Sequence, residues 1–126
     1  MNKVFRTVRK GFTLVEIMIV VLIIGILLAI AVPNFIRARE SSRAKSCVSN
    51  LKQIDSAKEQ WAMDNKKTSA DTPATTDLYG TDKYVKSTPA CPSSGTYTIA
   101  AVGTAPSCSV GNNATATDAS DDHILP

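Results

Sequence analysis

Hydrophobic and polar positions divide the chain into three regimes. From Phe12 to Val32, 21 residues include one charged side chain, Glu16, and the sixteen from Ile17 to Val32 include none. As a helix at about 1.5 Å per residue this stretch spans about 31 Å, the thickness of a hydrocarbon core. Ile, Val and Leu occupy every face, which predicts a helix surrounded on all sides by lipid or by protein. A carboxylate near its start costs about 2.5 to 3.5 kcal/mol on insertion scales, and this marks Glu16 as a functional residue. Pro33 has no amide donor, so a kink or local opening is expected there, with Asn34 available to cap a new helix.

From Phe35 to Asp64 the pattern becomes amphipathic. Ala44, Cys47, Val48, Leu51, Ile54 and Trp61 recur at three- and four-residue steps and form one stripe. Trp61, Val48, Leu51 and Ile54 are expected at the seam between helix and head. Glu40 between Arg37 and Arg43, and Asp55 between Lys52 and Lys58, read as a solvated opposite face. After Asn65 the composition shifts to Thr, Ser, Ala, Asp, Gly and Pro, and turns replace periodicity. Segments 96–102 and 107–110 alternate as short strands, joined across Gly103 to Pro106 as a hairpin. Residues 111–122 read as an extended surface segment, with His123 to Pro126 docking back. The fold class expected is α+β, with one long helix and a small β-hairpin head.

At 126 residues there is room for one small domain beyond the apolar segment. The net charge of +3 is local, because Lys3, Arg6, Arg9 and Lys10 all precede Gly11 and leave −1 over the remainder. Such a flank holds the N-terminus on the cytoplasmic side and gives little reason to invoke nucleic acid. The one histidine, His123, near the end of the sequence, reads as a surface residue. No glycine-rich phosphate loop, H-x-x-x-H or C-x-x-C spacing accompanies it, so the sequence offers little to an enzyme and implies no cofactor.

Lys10-Gly11-Phe12-Thr13-Leu14-Val15-Glu16 closes a short basic leader with glycine, then places phenylalanine next and glutamate four residues after it. This arrangement resembles the class III signal of type IV pilins and type II secretion pseudopilins, and Pro33 falls where that family usually has a proline. The resemblance implies a leader at 1–11, a membrane and filament-core helix at 12–32, an amphipathic helix at 33–64 and a periplasmic or extracellular head at 65–126. It implies cleavage between Gly11 and Phe12 by a prepilin peptidase and N-methylation of Phe12. Assembly from the inner membrane would follow, into a polymer with like or related subunits, driven by a platform protein and a cytoplasmic ATPase. Glu16 would then pair with the new amine of Phe12, on its own chain or a neighbour's. A secretion pseudopilus is the primary expectation and a surface pilus for adhesion, motility or DNA uptake the alternative. Rival readings are a cleaved secretory signal ending at Ala29-Ile30-Ala31 and a bitopic anchor that never polymerises.

Cys47, Cys91 and Cys108 lie beyond the span, where an oxidising compartment permits a disulfide, and sequence alone allows three pairings. Cys91 and Cys108 flank the expected hairpin, and a bond between them would add about 3 kcal/mol in the entropy model. Cys47, in the helical stripe, reads as a small buried apolar residue. Asp118, Asp121 and Asp122 offer hard oxygen donors of the kind calcium takes in the C-terminal loop of major pseudopilins. They lack a matching glycine-rich loop, so a solvated tail and no bound metal are expected.

Overall fold

The computed structural model describes residues 10–111 and 122–126. It resolves into two compact units, Met1–Ile36 and Arg37–Pro126. Their elements in chain order are helix α1 (Leu14–Asp64), helix α2 (Thr75–Leu78), strand β1 (Tyr97–Thr98) and strand β2 (Ser107–Cys108).

The first unit holds the N-terminal part of α1. Its described large apolar residues are all substantially exposed, from Val20 at 47% to Phe12 at 80%. The helix carries a segment long and apolar enough to cross a membrane, none of it buried within the chain. The helix begins one residue after Thr13 because Thr13 and Glu16 form a capping box. Glu16 N–H donates to Thr13 Oγ1 at 3.2 Å, and Thr13 N–H donates to Glu16 Oε2 at 3.5 Å. At Pro33 α1 continues without a break, and Asn34 caps no new helix before Asp64.

In the second unit the helix buries a face of Ala44, Cys47, Leu51, Ile54, Ala57, Lys58, Trp61 and Ala62. This is the expected stripe with two changes. Val48 is only half-buried. Lys58, expected on the wet face, is fully buried. Its ammonium donates to the carbonyls of Ala101, at 3.0 Å, and Thr104, and lies 3.5 Å from Asp55 Oδ1. Two carbonyls and a carboxylate thus replace the water that a buried ammonium loses. Sequence periodicity groups lysine with solvent and has no means of seeing that exchange.

The helix ends in a Schellman motif. Lys67 N–H reaches Ala62 O at 2.8 Å and Lys66 N–H reaches Met63 O at 3.4 Å, with Lys66 in the left-handed region at φ 52°. Beyond it the head has little regular structure. α2 is a single turn whose Asp77 accepts from Ala74 N–H at 3.1 Å. The hairpin is present, antiparallel, with Tyr97 opposite Cys108 and Thr98 opposite Ser107. It is shorter than the alternation suggested because Ala100 adopts φ 56° and reverses the side-chain order. Ile99 and Val102, rather than Ile99 and Ala101, therefore turn inward. They join Ile54, Ala57, Trp61, Ala62, Leu78 and Val85 in one core cluster, while Cys47, Leu51, Cys91 and Cys108 form a second.

Candidate functional site

Two regions carry chemistry, one in each unit. In the first, Gly11, Phe12 and Glu16 stand in the order the sequence suggested. Gly11 precedes the helix, with nothing within 4 Å of where a side chain would begin, and Phe12 is the most exposed of the large apolar residues. Glu16 sits in the first turn of α1, where a carboxylate favours the helix dipole. Its role as the N-terminal cap partner of Thr13 was missed by the sequence reading, although Thr-x-x-Glu directly before an apolar run is the recognised signal for it.

In the second unit, Cys47, Cys91, Cys108 and His123 converge. One donor atom from each lies within 4.8 Å of all the others, and all four residues are buried. Cys91 Sγ is 3.7 Å from His123 Nδ1. All three cysteines are free thiols in this structure. His123, expected at the surface, is 2% exposed. It is held by its own N–H donating to Gly111 O at 3.0 Å, with Leu125 packing on the sulfur cluster. The sequence contained one hint of this grouping: an odd number of cysteines accompanied by a single histidine.

The elements place these donors for identifiable reasons. Cys47 lies one helical turn before Leu51 on the buried face of α1. Cys108 lies on β2 opposite Tyr97. Cys91 opens a turn closed by Ser94 N–H donating to Cys91 O at 3.0 Å. Gly95 follows because a side chain has no room there: a Cβ would sit 2.6 Å from Cys108 Sγ and 2.7 Å from Val110 Cγ2. Asn50, one turn along α1, donates to Ala90 O at 3.1 Å and Tyr97 Oη at 3.0 Å, fixing the turn and the hairpin against the helix.

The electrostatics differ from sulfur to sulfur. Burial pushes the Cys47 thiol up to about 12, against a hydrogen bond with Tyr97. Burial also acts upward on Cys91, but the backbone N–H groups of Ser93 and Gly95 and the neighbouring thiols outweigh it and bring that thiol below its ordinary value. Tyr97 is raised, first by burial and then by its contact with Cys47. Asp118 and Asp121 of the acidic tail lie outside the described residues.

The geometry defines a class: a small α+β protein with a lipid-compatible N-terminal helix, a glycine-phenylalanine junction before it and a compact head on its amphipathic continuation. Residues 6–32 match the family model described as the prokaryotic N-terminal methylation motif. The chain is 47% identical over 57 residues to the type IV major pilin protein PilA of Myxococcus xanthus, covering 45% of this chain and 26% of that one. It is 29% identical over 110 residues to the type II secretion system core protein G of Klebsiella michiganensis, covering 78% of each. The core protein G of Escherichia coli is 37% identical over 57 residues, 45% of this chain and 39% of its own. The chain thus spans well under half of the Myxococcus and Escherichia relatives, and over three quarters of the Klebsiella one. No solved structure matches. The motif and these relatives together support the type IV pilin and type II secretion pseudopilin family, to whose members the chain is similar.

Proposed function

We propose that this chain is a structural subunit of a type II secretion pseudopilus, inserted in the inner membrane with its N-terminus cytoplasmic and its head periplasmic. The observation that carries the reading is the exposed apolar surface of α1 directly behind the Gly11-Phe12 junction, inside the matched motif. Residues 1–11 are the leader. Prepilin peptidase cleaves after Gly11 and methylates Phe12, while Glu16, four residues on, lies about 6 Å along the helix from the new ammonium.

In an apolar filament core, an unpaired Glu16 is costly and a neighbour's ammonium relieves it. The pair selects the stagger at which subunits stack more than it adds to net stability, because desolvating both charges offsets much of their attraction. The fifteen Phe, Leu, Ile and Val side chains from Phe12 to Val32 favour the bilayer by about 5 to 9 kcal/mol at 0.3 to 0.6 kcal/mol each. Extraction therefore needs work, supplied by a cytoplasmic ATPase through a platform protein. Packing on identical helices then replaces lipid contacts, and Pro33 supplies the weak point at which the helix adjusts to its neighbours.

A surface pilus is the second reading, favoured by the 47% identity to the Myxococcus pilin. That identity covers only 57 residues, whereas the 110-residue alignment runs into the head of a secretion protein. The test is the mass of the N-terminal peptide from protein isolated from its native envelope. Methylated Phe12 is expected; an intact Met1 or a start at Val32 refutes the reading.

A further inference from the structure

We propose that Cys47, Cys91, Cys108 and His123 bind one zinc ion as a closed four-ligand site that ties helix α1, the hairpin and the C-terminal segment together. This site lies apart from the N-terminal assembly chemistry and is independent of it.

The donor set argues for the metal. Three sulfurs and an imidazole nitrogen are the ligands of structural zinc, and soft donors of this kind select it over calcium or magnesium. The spacing fits. With Zn–S about 2.3 Å and Zn–N about 2.05 Å, tetrahedral angles put sulfurs about 3.8 Å apart and sulfur and nitrogen about 3.6 Å apart. The four donors already lie within 4.8 Å of one another, and Cys91 Sγ and His123 Nδ1 stand at 3.7 Å. Closure thus takes shifts of about an ångström or less.

The surroundings suit a bound metal thiolate. Zinc entry would release the three thiol protons to solvent and take the lone pair of neutral imidazole, with no change of oxidation state. The resulting centre carries a net charge of −1. The backbone N–H groups of Ser93 and Gly95 beside Cys91, and the Tyr97 hydroxyl beside Cys47, are placed to spread that charge. No water position is left among four protein ligands, so the role is structural rather than catalytic.

A disulfide between Cys91 and Cys108 is the rival occupant. It would use two of the four donors and leave a buried thiol and a buried imidazole, whose only side-chain hydrogen-bond partner among the described residues is the Cys91 sulfur. Zinc engages all four. The head also needs a staple of some kind: among the described residues its second core cluster has Leu51 as the one fully buried side chain besides the three cysteines, with Tyr97, Val110 and Leu125 partly buried around them, and domains this small commonly add a metal or a disulfide.

The experiment is elemental analysis of the full-length chain purified in detergent without chelator or reductant, together with its intact mass. About one zinc per chain and three alkylatable cysteines after denaturation are expected. The double variant C91S/C108S should lose the metal. Tyr97→Phe, which removes only a hydroxyl, should keep the stoichiometry while weakening affinity about 10- to 100-fold in a chelator competition. Cobalt exchange should give the visible bands of a tetrahedral thiolate site. A chain without zinc whose mass is lower by two hydrogens, with Cys91 and Cys108 peptides cross-linked, overturns the proposal. So does zinc retained at full stoichiometry in the double variant.

Discussion

Replacing Gly95 by alanine tests how tightly the sulfur cluster is packed. The added methyl would lie 2.6 Å from Cys108 Sγ, 2.7 Å from Val110 Cγ2 and 3.3 Å from Cys91 Sγ. Favourable contacts begin near about 3.5 Å, so nearly an ångström must be found on two sides at once. Cys108 cannot yield freely, because its strand is paired with Tyr97 and its side chain is buried. Overpacking of this kind costs about 1 to 3 kcal/mol. Gly95 has no positive φ to lose, so alanine returns about 0.4 to 1 kcal/mol by restricting the unfolded chain. At the middle of both ranges a net loss of about 1.3 kcal/mol remains, which for a unit of this size lowers the melting temperature by about 5 to 10 °C. The assay is thermal unfolding of the detergent-solubilised chain followed by the fluorescence of Trp61, the only tryptophan. Gly25→Ala serves as the control, since nothing lies within 4 Å of its added methyl. A Gly95→Ala head that melts at or above the parent temperature would refute this account of the packing.

Other consequences are equally open to measurement. Glu16→Gln should leave cleavage after Gly11 intact and abolish filament assembly; normal filaments on electron microscopy would remove Glu16 from the stagger. Lys58→Ala should destabilise the head by about 2 to 4 kcal/mol, through lost charge-assisted hydrogen bonds and lost packing of the stem, and should raise hydrogen exchange at Ala101 to Thr104. Lys66→Gly relieves a left-handed lysine, offset partly by glycine's larger unfolded entropy, and should raise the melting temperature by a few degrees. The Asp71 carboxylate accepts from Thr68 N–H at 2.8 Å and Thr68 Oγ1 at 2.9 Å, which holds its pKa below the usual range. Its contribution is complete above about pH 4 and lost as pH falls through the folded pKa, so Asp71→Asn should flatten the acid limb of the stability curve.

Much of this architecture is legible in the amino-acid order because its strongest signals are local. An uninterrupted apolar run, a Gly-Phe junction and a three-to-four periodicity each act within a few residues, and α1 ends at Asp64, where the amphipathic pattern stops. What was illegible depends on long-range partners. Lys58 is buried because two carbonyls more than forty residues away meet its ammonium. His123 is inside because its backbone hooks onto Gly111 beside the sulfurs, a contact that no periodicity encodes. The strands were overextended because Ala100 turns left-handed, which an alternating pattern of small residues conceals. In each case a polar or small residue found its partner through the tertiary fold.

The head is moored at points. Asn50, Lys58, Asp64 through its 2.9 Å bond from Tyr84, and the sulfur cluster each fasten a loop to one rung of the same helix. Four residues of strand and one short turn of helix supply little other scaffolding. The loops between moorings can therefore lengthen, shorten or change charge without disturbing the mast they hang from. A lineage could remodel the exposed loops of the head while leaving the buried stripe of the helix untouched.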